Sequence, residues 1–476
     1  VKNFKTIFLH ITSCIVLALS THQCCPRRII PAEELLEMTD IHRAQDLIHE
    51  SAHVTKPKKS WTFIVYMSAD NDLALFGRKN ILQLTRIGSN KNINIIIHLD
   101  TKVQGGKKIT LRYYVENNKL ILTNFDDANS QKMDSGNPQT VIDCFKWAVK
   151  NFPADHYLFD FWNHGTGIID IGRPRAINPS TLFTFNPGSN LLELDRNVPF
   201  LDFISLASCE NPKGVCFDDS TGNYLTNQNI AQCLQEVTTN ILGGKKIDII
   251  VFDACLMSML EVANILKPYA DYMVSSQEVE LGTGYDYYRA LLPFTQKTLK
   301  PQDFARHIVQ AYQETYLPIT QDFTQSALQL NCINEIENSI SKVAGLLIDA
   351  LKIQHAGLIK KALQQTRHKL SCTHFDEPSY IDLYHWLTNV SAAADKFQYN
   401  DQRNGRRITN EIKTTIIQCL NSINKTVISN ATGKGLKNAH GISIYFPERY
   451  IHNSYHKTTF GKSTKWLEFL NYFMLA

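Results

Sequence analysis

Two stretches of this chain set reactive side chains where a sheet would present them. Ile247-Asp248-Ile249-Ile250-Val251-Phe252 is almost wholly apolar and stops at Asp253-Ala254-Cys255. His156-Tyr157-Leu158-Phe159-Asp160-Phe161-Trp162 has the same character and stops at Asn163-His164-Gly165. Such runs read as strands buried on both faces, as in a parallel sheet. Parallel strands bring their C-terminal ends to one rim, where α/β proteins hold their ligands. Cys255 and His164 can therefore converge although they are distant in sequence. A thiol with a pKa of about 8.5 is mostly protonated at neutral pH, and a neighbouring imidazole can take its proton to give a thiolate nucleophile. Leu256 to Ala263 reads as a helix start directly after Cys255, which would favour the thiolate further. The backbone N–H groups of Gly165 and Cys255 can form an oxyanion hole, and a glycine lets a carbonyl come close. A lone cysteine in a strand is usually a core residue. The joint placement of Cys255 and His164 at two strand ends is what favours chemistry. A second histidine-glycine pair, His440-Gly441, precedes a strand and is expected at the opposite rim.

The surrounding elements must build that sheet. Trp61 to Met67 and Asn92 to Asp100 read as strands, with a helix between them over Leu73 to Arg86. Shorter strands are expected near 107–117 and 120–123, then an amphipathic helix over Thr140 to Asn151. Strands alternating with helices imply an α/β fold with a mostly parallel sheet covered on both faces. Residues 168–245 are rich in Asn, Pro, Ser, Gly and Asp and read as an insertion, with Asn227 to Val237 its one helical part. Ala270 to Glu278 is a further strand, followed by a loop at Gly282-Thr283-Gly284. From about residue 300 the pattern is helical, with one strand at Gly441 to Pro447. The expected division is a signal peptide over 1–20, an N-terminal helix and linker over 21–59 (a possible pro-segment), a catalytic domain over 60–299, and a largely helical C-terminal extension over 300–476.

The 476 residues carry a net charge of +4, with 43% hydrophobic and 20% charged residues. That balance gives no case for a nucleic-acid partner or an anionic membrane surface. The opening Val is read as an alternative start codon, as in a bacterium. Lys2 and Lys5 precede a short apolar run, Ile7 to Leu19, with small residues at Ala18 and Ser20, which reads as a secretory signal cleaved after Ser20. The run is too short for a stable membrane span. Lipid anchoring at Cys24 is disfavoured by the approach Thr21-His22-Gln23. The expected location is therefore secreted or periplasmic. Export permits disulfides, and Cys209 and Cys216 are the close pair among eleven cysteines.

These residues carry a resemblance to the clostripain family of cysteine peptidases, relatives of caspases, gingipains and legumain. The matching stretches are Phe63 to Leu73 (Phe-Ile-Val-Tyr-Met-Ser-Ala-Asp-Asn-Asp-Leu), Trp162-Asn163-His164-Gly165-Thr166-Gly167, Asp253-Ala254-Cys255-Leu256-Met257, Ser275-Ser276-Gln277-Glu278 and His440 to Pro447. The resemblance implies a caspase-like α/β/α sandwich and a Cys255–His164 dyad. It also implies endopeptidase action on protein or peptide substrates, typically after Arg or Lys. Asp253 is similar to the family's acid at the specificity pocket, since a basic side chain in a cleft needs a carboxylate partner. Ser276, Glu280 and Thr283 fall in the substrate-binding stretch. Thr283 stands where relatives often carry an acid, and Glu280 or Asp286 can compensate. The resemblance implies that the chain can be cut between the His and Cys motifs, with Arg173, Arg175, Arg196, Lys213, Lys245 and Lys246 as candidate cut sites, or that this stretch is an uncut surface loop. The chemistry requires no cofactor. Calcium enters as a structural or activating ion, with Asp70, Asp72, Asp218 and Asp219 as scattered candidate ligands and no contiguous calcium loop.

Two other readings are written in the chain. His49-Glu50-Ser51-Ala52-His53 fits a zinc-protease pattern, but it precedes the sheet and lacks a third ligand at the expected spacing. A catalytically inactive member acting as a binding module would have the same motifs.

Overall fold

The structure, a computed structural model, describes residues 29–31, 56–103, 106–123, 132–169, 182–196, 214–352, 356–397 and 402–475. The expected signal peptide, Cys24, the His49–His53 pattern, Cys209, Arg173, Arg175 and Lys213 lie outside them.

Along the chain the strands are β1 (Ile29–Pro31), β2 (Lys59–Ala69), β3 (Ile93–Lys102), β4 (Lys108–Glu116), β5 (Lys119–Leu122), β6 (Ala154–Trp162), β7 (Phe183–Asn186), β8 (Leu191–Leu194), β9 (Ile247–Asp253), β10 (Ala270–Ser275), β11 (Thr324–Gln329), β12 (Tyr380–Asp382), β13 (Val427–Thr432) and β14 (Ser443–Tyr445). Ten form one sheet, in the order β1-β5-β4-β3-β2-β6-β9-β10-β11-β13. The five central strands from β3 to β10 are parallel, and the outer pairs are antiparallel.

Side chains alternate across the sheet with the period of a strand. Ile64 and Tyr66 of β2, with Ile250 and Phe252 of β9, enter one apolar cluster. Phe63, Val65 and Met67, with Ile249 and Val251, enter the other. The helices Pro138–Asn151 and Ile333–Leu351 cover the first face, and Ala74–Ile87 and Pro301–Tyr316 the second. The first of these starts where its sequence dictates: Asn137 caps it by accepting from Gln139 N, and Pro138 takes the first turn.

β2 lies between β3 and β6. The chain winds outward from it in both directions, so the sheet's switch point falls between the C-terminal ends of β2 and β6. That is where a crevice opens in such sheets, and His164 follows β6 directly.

The region after residue 300 is largely helical, as expected, and it also completes the sheet. β11 and β13 pair beyond β10, and Trp61 Nε1 donates to Leu299 O across 2.8 Å. Residue 299 is therefore no break in the fold. β12 and β14 form a separate two-stranded sheet. In the insertion, β7 and β8 make a hairpin and Asn227–Glu236 is the expected helix. Bridges from Gly165 to Val215 and from Val215 to Leu225 bring the insertion back to the end of β6.

Candidate active site

Asn163, one residue past β6, knots the rim together. Its Nδ2 donates to Ser68 O (2.6 Å), its backbone N to Asp253 O (3.2 Å), and its Oδ1 accepts from Phe217 N (2.9 Å). The ends of β2, β6 and β9 and the insertion thus meet at one amide. His164 comes next, and its Nε2 lies 2.8 Å from Asp72 Oδ1 in the turn after β2. A carboxylate only accepts, so Nε2 carries the hydrogen and Nδ1 the lone pair in the neutral ring. Gly165 packs so tightly on the Cys255 carbonyl that a Cβ there would lie 2.5 Å from its oxygen. This contact holds the two strand ends together, and any side chain at Gly165 would force them apart.

Cys255 follows β9, and His164 and Cys255 both line one cleft of about 300 Å³, with Leu73, Trp162, Asp253, Glu280, Leu281, Gly282 and Gly284 also in its wall. Their relative exposures, 8% and 7%, leave a narrow approach to both. Leu256 adopts φ 66°, a left-handed backbone rare for a branched residue. The helix expected directly after Cys255 begins instead at Leu260. Leu256 N donates to Glu278 O and Ser258 N to Ser276 O, while Ser258 O accepts from Ser443 N. Those bonds tie the turn at Leu256 and the segment up to Met259 to two neighbouring segments, so no helix terminus stands at the thiol. The nearest donor to Cys255 Sγ is Glu280 N at 3.3 Å. Burial, and after it the Glu280 carboxyl, pushes the Cys255 thiol well above its ordinary pKa. At rest the group is a neutral thiol in need of a base.

Asp253 and Glu280 make the floor of the cleft acidic, and Tyr287 links Asp253 to a third buried acid, Asp160. Asp253 Oδ2 accepts from Tyr285 N (3.1 Å) and from Tyr287 Oη (2.8 Å). Glu280 Oε1 accepts from Gln325 Nε2 (3.3 Å), and Asp160 Oδ2 lies 2.6 Å from Tyr287 Oη. Burial raises all three, Asp253 to about 6, and the charge of Asp253 pushes Asp160 and Glu280 further up. Among the described residues no lysine or arginine pairs with any of them. Gly284, at φ 59°, covers Asp253 so closely that a Cβ would sit 2.5 Å from both carboxylate oxygens.

Of the residues singled out in the sequence, the structure thus brings His164, Gly165, Asp253, Cys255 and Glu280 together. Ser276 and Thr283 do not line the cleft. Ser276 Oγ is bound to Glu278 O and Thr324 Oγ1, and Thr283 Oγ1 to Tyr316 Oη at 2.8 Å. Asp286 caps the helix Tyr287–Leu291 and pairs with Arg289. His440-Gly441 is not at the opposite rim: the Gly441 carbonyl accepts from Ser258 Oγ and Ser326 Oγ, close behind Cys255. His440 itself is tied to Asp382, which also receives Gln277 Nε2. The late motif is thus a buried polar strut under the loop that carries Glu280.

Of the acids considered for calcium, Asp70, Asp72 and Asp218 are met from within the chain. Lys108 Nζ lies among Asp70, Asp100 and Asp218, with Lys102 Nζ 2.8 Å from Asp70 Oδ1, and Asp72 is engaged by His164. Between Asp70 and Asp218 the place of a cation is thus taken by the Lys108 ammonium. Cys216 is a free, buried thiol.

The sequence profile described as the clostripain family matches residues 65–191 and 204–473. The chain belongs to that family. The clostripain of Hathewaya histolytica is 24% identical over 250 residues, which make up 48% of this chain and 40% of that protein, so the match spans less than half of the relative's length. A secreted C11 cysteine protease of Bacteroides thetaiotaomicron, solved with an irreversible peptide inhibitor, superposes with a TM-score of 0.51 at 17% identity, over 86% of this chain and 99% of that one. An inactive zymogen C11 protease of Parabacteroides distasonis gives 0.54, also at 17% identity and the same coverage. The fold is accordingly the caspase-like sandwich of a clostripain-family member, and the family function is that of a cysteine peptidase. Among the described residues no helix is long and apolar enough to cross a membrane.

Proposed function

We propose that this chain is a secreted cysteine endopeptidase that cleaves peptide bonds after Arg or Lys. The observation that carries the basic preference is the cleft floor, where the buried carboxyl groups of Asp253 and Glu280 pair with no lysine or arginine among the described residues. A buried carboxylate without a cation is costly, and a substrate guanidinium or ammonium supplies one.

His164 Nδ1 takes the proton of Cys255, and the thiolate attacks the scissile carbonyl carbon. The oxyanion forms against the backbone N–H groups of Gly165 and Cys255. The intermediate collapses as the imidazolium gives its proton to the leaving amine, which leaves a thioacyl-enzyme. Water, deprotonated by His164, then attacks the thioester and releases the acid and the thiol. Every step uses the chain's own groups and requires no cofactor. Residues 1–20 serve as the export leader.

Asp72 keeps the imidazole in the tautomer that offers Nδ1 and stabilises the imidazolium. Asp72→Ala is expected to lower kcat by about 10–10²-fold with little change in KM, and to move the pH profile of Cys255 alkylation; Asp72→Asn should recover part of the loss. An unchanged alkylation profile in Asp72→Ala would assign Asp72 a packing role only.

The reading is tested with a fluorogenic panel bearing Arg, Lys, Ala or Leu at P1. Cleavage after Arg and Lys is expected, with kcat/KM for the Arg substrate rising as pH passes about 6, because Asp253 is ionised only above that value. Preference for Ala or Leu would overturn it.

A further inference from the structure

The acids at the cleft floor form a connected chain in which hydrogens can be counted. Tyr287 Oη lies 2.6 Å from Asp160 Oδ2 and 2.8 Å from Asp253 Oδ2. A phenol has one hydrogen to give. Both contacts are hydrogen bonds only if one aspartate is a neutral acid that donates to the phenol oxygen. Asp253 also accepts from Tyr285 N, which favours its charge, so Asp160 holds that proton. Glu280 stands within hydrogen-bonding reach of Asp253 on the other side, and two carboxyl groups bond only through a shared proton. Glu280 Oε2 receives no donor from the described residues.

The groups facing this chain come from every element around it. They are Asp160 on β6, Asp253 at the end of β9 with Cys255 beyond it, and Tyr285 and Tyr287 after the Gly284 turn. Tyr312 and Tyr316 face it from the helix Pro301–Tyr316, Gln325 from β11, and His164 with Asp72 from the rim. Asp286 and Asp376 are more distant acids, and Glu278 is already paired with Arg196 at 2.7 Å. Burial and the charge of Asp253 push Glu280 well above the ordinary carboxylate range, which favours its protonated form.

We propose that Glu280 is a proton-gated specificity residue: it rests as a neutral acid bonded to Asp253, and the cationic P1 side chain of a substrate displaces its proton to solvent. The inference rests on the basic P1 preference proposed above. The exchange is balanced, since one positive charge leaves the pocket as another enters. The bound cation then meets two carboxylates, Asp253 and Glu280, where the resting pocket held one. A neutral side chain of the same shape has no means of expelling the proton. Glu280 thereby supplies the second acid that Thr283 does not.

The test uses the full chain with Cys255→Ala, which binds peptide without cleaving it. Calorimetry of a P1-Arg peptide is carried out in buffers of different ionisation enthalpy, together with its P1-citrulline analogue. Expected are release of about one proton with Arg and affinity that rises about tenfold per pH unit over the range where Glu280 is protonated, with neither effect for citrulline. Glu280→Gln in the same background should abolish the release and still bind the Arg peptide, whereas Asp160→Asn should keep the release. Should Glu280→Gln fail to fold, difference infrared spectra of the parent provide the readout, with loss of a protonated-carboxyl band on binding Arg peptide. No proton release, release that persists in Glu280→Gln, or no change in that band overturns the proposal. Equal affinity for Arg and citrulline peptides overturns the basic preference itself, and this inference with it.

Discussion

Replacing Cys255 by Ala is expected to lower kcat for a P1-Arg substrate by at least about 10⁴-fold while the fold persists. Nucleophile and base act as a unit, so removing either forfeits nearly all of the covalent route and leaves only what binding and the oxyanion donors supply. Cys255 is enclosed by backbone from the turn at Leu256 and by Glu280 N, and alanine keeps that backbone geometry. His164→Ala should be as damaging for a different reason. The Cys255 thiol is held neutral chiefly by burial, with no helix terminus beside it to favour the anion. Without the imidazole nothing takes its proton near neutral pH. The two variants separate in alkylation: Cys255→Ala gives no labelling by a thiol-reactive peptidyl probe at any pH, whereas His164→Ala regains labelling as pH rises. Hydrolysis by Cys255→Ala within tenfold of the parent would remove Cys255 from the chemistry.

The parallel centre of the sheet was readable because β2, β3, β6 and β9 are mostly apolar and buried, and apolar runs ending in turn residues have a strand's signature. β11 was not readable, and the reason is functional. Thr324, Gln325 and Ser326 are polar, so the stretch looks like a loop, yet they are buried and spent on Ser276, Glu280 and the Gly441 carbonyl. Hydrogen bonds to the site replaced the apolar pattern that would have revealed the strand. The helix after Cys255 was misplaced because its residues have helical composition, and only the tertiary partners Glu278, Ser276 and Ser443 tie them into a turn instead. His164 and Cys255 were legible from their strand ends. Asp72 appeared only as one acid among several, because recognising it as the partner of His164 requires knowing that β2 lies beside β6. Strand order is set by packing across the whole sheet, and no local spacing encodes it. Tyr285 and Tyr287 were hidden likewise: nothing in their neighbours indicates that their polar atoms reach back to Asp253.

Asp253→Asn is expected to lower kcat/KM for P1-Arg substrates by about 10²–10³-fold and to leave cleavage after Leu, weak as it is, almost unchanged. Removing one charge of a desolvated ion pair costs roughly 3–5 kcal/mol, and each 1.4 kcal/mol is about tenfold. The amide is nearly the size of the carboxylate, so Gly284 keeps its close approach, and the side-chain oxygen still accepts from Tyr285 N. Stability should move the opposite way. Burial raises Asp253 to about 6, above its ordinary value of 3.8. The folded state therefore binds more protons than the unfolded state between those values, and stability falls as pH rises through that window. At neutral pH the buried charge is a burden on the fold, which the neutral amide removes. The variant should melt at a higher temperature at pH 7, with the gain vanishing below about pH 4. A fall in activity joined to a rise in melting temperature cannot come from misfolding, and it marks a charge kept for the substrate at the fold's expense. A lower melting temperature together with unchanged Arg selectivity would instead make Asp253 a structural acid at the end of β9.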